Sequence, residues 1–306
     1  MDLRAIGMGV AFALMWSSAF SSARIIVADA PPLMALSLRF FLSGLIGIAL
    51  AAALGQSWRL TPAQWRATIL FGICQNALYL GLNFVAMQTI QASLAAIIAS
   101  SLPLAVAAVG WLLLRERLPA LGVAGLIAGF AGVMVIMGGR MGVGGVDPFG
   151  LVLCVVGVGA LTFATMALRG ASGGGNVLMV VGLQMLIGSA ALAPFALLLE
   201  TPEVRWSAEL IAAFVYTLLV PGLLATWVWF VLVQRIGTVR AATFHFLNPF
   251  FGVAIAALVL GEAVGPLDVL GVVVVMAGIL AVQISRGPKP GVVPPPAQPP
   301  NGPPVR

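Results

Sequence analysis

Few side chains in this sequence can do chemistry, and nearly all of them sit in apolar surroundings. His245 is the one histidine among 306 residues, the side chain best placed to titrate near neutrality. It could carry a proton or act as a neutral hydrogen-bonding residue, and the neutral role is the expectation. Gly170-Ala171-Ser172-Gly173 has the form of a G-x-S-G nucleophile motif. With His245 as base it would suggest an intramembrane serine protease. Ser172, however, lies in a glycine-rich loop with Gly174 and Gly175, while His245 falls in the middle of an apolar run, so hydrogen-bond contact is not expected. Other catalytic sets need a second histidine or embedded carboxylates, and no Asp or Glu lies near the centre of any apolar run. Cys74 and Cys154, both inside apolar runs, make neither a disulfide framework nor a four-ligand metal site. The expectation is a chain that is not an enzyme and needs no cofactor.

The elements that must position these groups follow from composition. The chain is 61% hydrophobic and 8% charged, with a mean hydropathy of +1.12, where soluble domains are about 25% charged. That leaves too little polar surface for a water-soluble particle, so the fold class is all-α integral membrane. A bilayer is crossed by about 20 apolar residues. Ten such runs lie at roughly 5–28, 33–54, 66–87, 91–114, 120–138, 148–169, 176–199, 208–233, 239–260 and 266–284. Arg4 before the first run and Ala28-Asp29-Ala30 after it imitate a secretory signal. That run exceeds a signal's apolar region and Pro31 would follow the cut, so it is taken as a span.

With a cytoplasmic N-terminus, eleven basic residues fall in inside loops and three (Arg24, Arg140, Arg205) outside, leaving Arg39 within a span. This bias is expected to place both termini in the cytoplasm, in a multi-pass protein. The net charge of +6 is spread singly, with no clustered basic face for nucleic acid. The last twenty residues hold nine prolines, so 286–306 is expected to be a disordered Pro-rich cytoplasmic tail.

Polar residues inside the spans mark a candidate site. A proline within a helix frees the carbonyl four residues earlier, here Ala99 before Pro103 and His245 before Pro249. Such carbonyls are tolerated at membrane depth only beside protein or a watery cavity, and Ser100, Ser101, His245 and Asn248 surround them. In the third run Asn76, Tyr79 and Asn83 share one helical face, with Gln75 nearby. The first run offers Trp16, Ser17, Ser18, Ser21 and Ser22, and the eighth Thr226, Trp227 and Trp229. Phe163, Phe244 and Phe246 supply further rings. Each group has a plainer reading as a packing kink, an interhelical hydrogen bond of about 0.6 kcal/mol, serine-mediated close packing or an interfacial anchor. The candidate substrate-lining set is Trp16, Ser17, Ser21, Asn76, Tyr79, Asn83, Ser100, Ser101, Phe163, Trp227, Phe244, His245 and Asn248. Arg39, about 9 Å below the outer interface at 1.5 Å per residue, has three readings: snorkelling outward, pairing with Asp268, or clamping a substrate carboxylate. Snorkelling is the expectation.

Shifting the sequence by 146 residues aligns Pro103 with Pro249, Glu116 with Glu262, Gly125 with Gly271 and Gly132 with Gly278. Five spans per half is an odd number, so the halves, 1–140 and 146–285, would enter the membrane from opposite sides as inverted repeats. The paired segments SLPLAVAAVGWLLLRERLPALGVAG and FLNPFFGVAIAALVLGEAVGPLDVLG resemble the drug/metabolite transporter superfamily, in particular the ten-span EamA-type exporters. The first span, MWSSAFSSARII, is similar to YddG-type aromatic amino-acid exporters. The resemblance implies export of amino acids or similar metabolites across the inner (plasma) membrane. The second half's first span, LVLCVVGVGALTFATMAL, lacks the Trp-Ser element.

The residues themselves point the same way. Without a buried carboxylate a lipophilic cation finds no counter-charge, and without a Lys or Arg cluster neither does a diphosphate sugar. Small, net-neutral, amphipathic substrates fit, zwitterionic amino acids among them. The expectation is a carrier, functional as a monomer, whose halves rock about a site formed by spans 1, 3, 4, 6, 8 and 9, as a passive facilitator ahead of proton coupling. Pro103 and Pro249 would form moving seams, with glycine-rich spans 5 and 10 packed closely. Gly125-x-x-x-Gly129 is assigned to packing within the chain ahead of a dimer face. Glu116 and Glu262 are expected to cap helix N-termini, with gating as the alternative.

Overall fold

The computed structural model describes residues 2–143, 146–167 and 176–286. Ser172 and the tail beyond Arg286 lie outside the described residues. Among the described residues ten helices are long and apolar enough to cross a membrane. They are α1 (Leu3–Asp29), α2 (Pro32–Ala53), α3 (Pro62–Ala86), α4 (Ala92–Leu112), α5 (Ala120–Arg140), α6 (Pro148–Ala167), α7 (Val177–Leu199), α8 (Ala208–Ile236), α9 (Arg240–Leu260) and α10 (Pro266–Arg286).

Local chemistry sets the ends. Pro32, Pro62 and Pro266 open helices where a missing N–H does no harm. Thr61 and Gln64 form a capping box on α3, and Asp2 and Ser207 accept from Ala5 N–H and Leu210 N–H at the starts of α1 and α8. Gly261 ends α9 with a left-handed φ of 66°.

The element starts repeat along the chain. Leu3 and Pro148, Pro32 and Val177, Pro62 and Ala208, and Ala120 and Pro266 are each separated by 145 or 146 residues. The irregularities repeat as well. α3 and α8 each contain a π-helical stretch, Gly72–Leu80 and Leu218–Leu224, whose starts are 146 residues apart. α4 and α9 are both broken, resuming at Leu102 and at Asn248 with Pro103 and Pro249 in the new first turn. The prolines therefore start half-helices and do not kink continuous ones. The His245 carbonyl expected to be free accepts from Asn248 N–H, in the 3-10 turn Phe244–Leu247; the chain has tightened locally to satisfy it.

Packing joins the halves at every level. α2 lies on α7, α4 on α9, α5 on α10, α1 against α8 and α9, and α6 against α3 and α4. The α5–α10 seam is built from glycine: a Cβ on Gly278 would stand 2.6 Å from Gly129 Cα, and one on Gly125 would stand 2.8 Å from Gly278 O. Close backbone approach of this kind gives dispersion contact where lipid offers no hydrophobic drive. Gly125 and Gly129 thus pack within the chain. The outside carries large apolar side chains, which suit contact with lipid acyl chains.

Candidate functional site

α1 runs through the middle of the bundle because its buried face is nearly all small: Ser17, Ser18, Ser21, Ser22 and Ala23. Most of these hydroxyls hold helices together. Ser17 Oγ donates to Asn248 O (3.3 Å), Ser18 Oγ donates to Met15 O (2.7 Å) and lies 2.8 Å from Tyr216 Oη, and Thr217 Oγ1 donates to Ser22 Oγ (2.7 Å). Ser21 Oγ is buried with no hydrogen-bond partner.

Beside this face a cavity of about 50 Å³ lies between α1, α2, α3 and α8, lined by Trp16, Phe20, Arg39, Tyr79, Asn83 and Pro221 among others. That volume holds a few waters, whereas small-molecule sites measure hundreds of Å³, so the helices stand closed about it. Backbone irregularity shapes two of its walls. The π stretch of α3 carries Tyr79, and Asn83 Nδ2 donates to Tyr79 O (2.7 Å). The π stretch of α8 contains Pro221, which has no N–H to give to Thr217 O. Gly222, next in sequence, is where α2 comes close: a Cβ there would stand 3.2 Å from Thr217 O and 3.6 Å from both Arg39 Nη2 and Ser43 Oγ.

Arg39 departs most from expectation. It is only 6% exposed, so it does not snorkel. Asp268 is not its partner, because Asp268 Oδ1 accepts from Arg140 Nε at 2.8 Å. Among the described residues Arg39 Nε has no hydrogen-bond acceptor, and the guanidinium carbon stands 5.1 Å from the Phe40 ring centroid.

Below the cavity, toward the Asp2 end of α1, Phe12, Trp16, Trp229 and His245 form an aromatic cluster. Phe12 lies 4.8 Å from Trp229 and 5.3 Å from His245, and His245 meets Trp229 edge-on at 5.0 Å. His245 Nδ1 is 3.1 Å from Ala242 O; a carbonyl only accepts, so Nδ1 carries the hydrogen. His245 is thus packed among aromatic rings, and Phe244 packs beneath it against a face opened by Gly9.

The two ends of the bundle are clasped by carboxylates. At the Asp29 end, Glu262 accepts from Ala92 N–H (2.7 Å), Ser93 N–H (3.1 Å) and the Ser93 hydroxyl, and Glu200 accepts from Leu33 and Met34 N–H, both 2.8 Å. Glu262 thus caps α4 in the other half, and not the helix α10 that follows it. A carboxylate on bare N–H groups is favoured by the helix dipole. Thr89 Oγ1 donates to Asp147 (2.6 Å) and, with Gly150 N–H, holds its carboxyl below the usual range. At the other end Glu116 lies 3.4 Å from Arg286, and Arg235 donates to Asp2, which with Ala5 N–H holds the Asp2 carboxyl down to about 2.

Of the residues singled out from sequence, Trp16, Tyr79 and Asn83 line the cavity together with Arg39. Asn76 does not; its Nδ2 donates to Gln184 O of α7 (2.9 Å). Ser100 and Ser101 turn back on their own helix, to Ala96 O and Ile98 O, both 2.6 Å. Asn248 is buried at the α1–α9 contact. Phe163 and Trp227 lie on the outer surface, 62% and 58% exposed, in line with Val152, Val155 and Leu224, and leave the site. Trp229 takes the inward place expected of Trp227. Phe12, Phe20 and Pro221 had not been singled out. Phe12 stands one helical turn before Trp16, and Pro221 answers to the proline argument already applied to Pro103 and Pro249.

The sequence profile of the EamA-like transporter family matches residues 3–138 and 148–284. Among curated relatives, the Bacillus subtilis (strain 168) protein named uncharacterized transporter YvbV is 24% identical over 270 residues, 88% of each chain. Protein PecM of Dickeya dadantii (strain 3937) is 23% identical over 266 residues, 86% of each. A WAT1-related chloroplastic protein of Arabidopsis thaliana is 22% identical, over 89% of this chain and 67% of its own. A solved crystal structure superposes with a TM-score of 0.67 at 22% identity, over 93% of this chain and 98% of that one, which speaks to the fold alone.

Proposed function

The chain belongs to the EamA-like transporter family, and from that premise we propose that this multi-pass membrane transporter moves small amphipathic metabolites, neutral and aromatic amino acids first among them, out of the cell by alternating access. The observation that carries the reading is the cavity at the junction of α1, α2, α3 and α8, where Trp16 and Phe20 offer aromatic faces beside the Tyr79 hydroxyl and the Asn83 amide. Aromatic and polar groups in one cavity suit a substrate with an apolar side chain and a polar head.

The doubled element pattern supports two inverted halves rocking about this point. The bias of basic residues supports cytoplasmic termini, so that the Asp29 end faces out, and the family resemblance supports an inner membrane location. On this orientation the carboxylate clasps close the outer side and the Phe12–Trp229–His245 cluster closes the inner one. Among the described residues no carboxylate lines the cavity, and His245 stands outside its lining, which favours a facilitator over a proton-coupled carrier.

Purified protein in liposomes loaded with neutral amino acids, nucleosides, sugars and organic cations tests the reading. Amino-acid efflux that ignores an imposed pH gradient is expected, with Tyr79→Ala cutting the rate about tenfold or more while the protein stays folded. Efflux of cations or sugars alone overturns the substrate class, and gradient-driven efflux overturns the facilitator.

A further inference from the structure

We propose that Arg39 is the receptor for a substrate carboxylate, and that the class this site selects is small monocarboxylates with an apolar or aromatic end, for which an ammonium group is dispensable. The proposal rests on the transport reading above and names what the same cavity selects.

A guanidinium well inside a membrane helix is costly unless it is paired, solvated at the interface or functional. Arg39 is seven residues into α2, about 10 Å from the helix end at 1.5 Å per residue. It is 6% exposed and lines the cavity. The acidic side chain that could have paired with it, Asp268, is held by Arg140, and no Asp or Glu lines the cavity. The Phe40 ring attracts the cation without taking up its N–H groups. Among the described residues Nε of Arg39 and Oγ of Ser43 are both buried without a partner, and Gly222 keeps the ground beside Nη2 and that hydroxyl free of a side chain.

A planar fork of donors at the edge of a small, mostly apolar cavity matches a carboxylate on an apolar molecule, since a carboxylate can accept from two of its N–H groups at once. Tyr79, on the neighbouring α3, lines the same cavity and can make a second polar contact, and Trp16 and Phe20 offer faces to the remainder of the molecule. One fixed positive charge balances one negative charge. A dianionic phosphate ester would leave a charge unmatched, and an amine lacking an acid group would meet repulsion. A zwitterion would be held by its carboxylate, with only carbonyl and amide oxygens for its ammonium.

Three probes of one shape separate these cases by calorimetry on the full chain in lipid nanodiscs: L-phenylalanine, 3-phenylpropionate and 2-phenylethylamine. The two carboxylates should bind within about tenfold of each other and the amine far more weakly. Arg39→Gln should weaken both carboxylates by on the order of 30-fold or more, and Arg39→Lys by less. The melting temperature of Arg39→Gln should equal or exceed that of the parent, since it removes an unpaired buried charge; a fall would mark a structural role and count against the proposal. The amine binding as well as the acids, or Arg39→Gln binding them unchanged, overturns the carboxylate receptor while leaving amino-acid transport intact. If none of the three binds and the loaded liposomes release no amino acid, the transport reading fails and the receptor with it. The acid-to-amine comparison is made on the unmutated protein, so it decides even if a variant is not recovered.

Discussion

The third helix of each half crosses the second helix of the other, and the two crossings are built from opposite complements. Where α3 meets α7, the large polar residue is on the third helix: Asn76 packs on Gly188, and its amide donates to Gln184 O. Where α8 meets α2, the glycine is on the third helix: Gly222 faces Ser43 and Arg39. Gly222 stands 146 residues after Asn76, and Gly188 stands 145 after Ser43, the offsets that separate the helix starts. One backbone crossing has thus been filled twice with the roles of its two strips exchanged. The first is sealed by a side chain bonded to the far backbone. The second leaves Arg39 Nε and Ser43 Oγ without partners. Of the side chains at the two crossings, Arg39 lines the cavity and Asn76 does not, and the proposed carboxylate receptor rests on that difference.

The sharpest way to break this comparison is to add the same methyl group to both glycines. A Cβ at position 188 would stand 2.3 Å from Asn76 Cβ, which cannot be relieved without moving α3 or α7; one at 222 meets nothing nearer than 3.2 Å. Gly188→Ala should therefore destabilise the protein by about 3 kcal/mol, at the upper end of overpacking effects, and Gly222→Ala by about 1 kcal/mol or less. Melting temperatures of the purified variants in one detergent check the order. Gly222→Ala should instead reduce flux, because its methyl takes up the space beside Arg39 Nη2, at an ordinary contact distance of 3.6 Å, where a carboxylate oxygen would approach. Equal losses of stability would mean that the crossings are interchangeable.

Next in size is the polar wall of α3. Asn83 Nδ2 supplies a donor to Tyr79 O at 2.7 Å, and Oδ1 lies 3.4 Å from Cys154 Sγ on α6. Asn83→Leu keeps the volume and removes the donor, so the stability loss should be about 2 kcal/mol, that of a buried carbonyl left short of a partner, with amino-acid efflux reduced as well. A loss of stability without loss of flux would assign Asn83 to the scaffold and leave Tyr79 and Arg39 as the polar wall.

The spans were legible from sequence because each is an apolar run bounded by charge, proline or glycine, and that pattern depends on nothing distant. Trp16, Tyr79 and Asn83 were legible for a related reason: helical spacing puts them on faces too polar for lipid. What could not be read was partnership. Nothing local to Arg39 reveals that Asp268 is occupied by Arg140, so pairing and snorkelling both remained open. Helix phase decides which of Trp227 and Trp229 turns inward, and the π stretch Leu218–Leu224 resets that phase just upstream, so the sequence alone does not tell them apart. The carbonyl of His245 was expected to be free on the premise of a continuous helix, and the 3-10 turn removed the premise.

The smallest effect belongs to the residue that most resembles a site residue in sequence. Asn76 shares a helical face with Tyr79 and Asn83, yet its amide is committed to Gln184 O across the α3–α7 crossing. Hydrogen bonds between membrane helices contribute about 0.6 kcal/mol on average, and truncation to alanine also removes the contact with Gly188. Asn76→Ala should lower stability by about 1 kcal/mol, shift the melting temperature by a few degrees and leave the substrate profile and flux of the folded fraction unchanged. A change in which amino acids are carried would draw Asn76 into the cavity wall and make the first crossing as functional as the second.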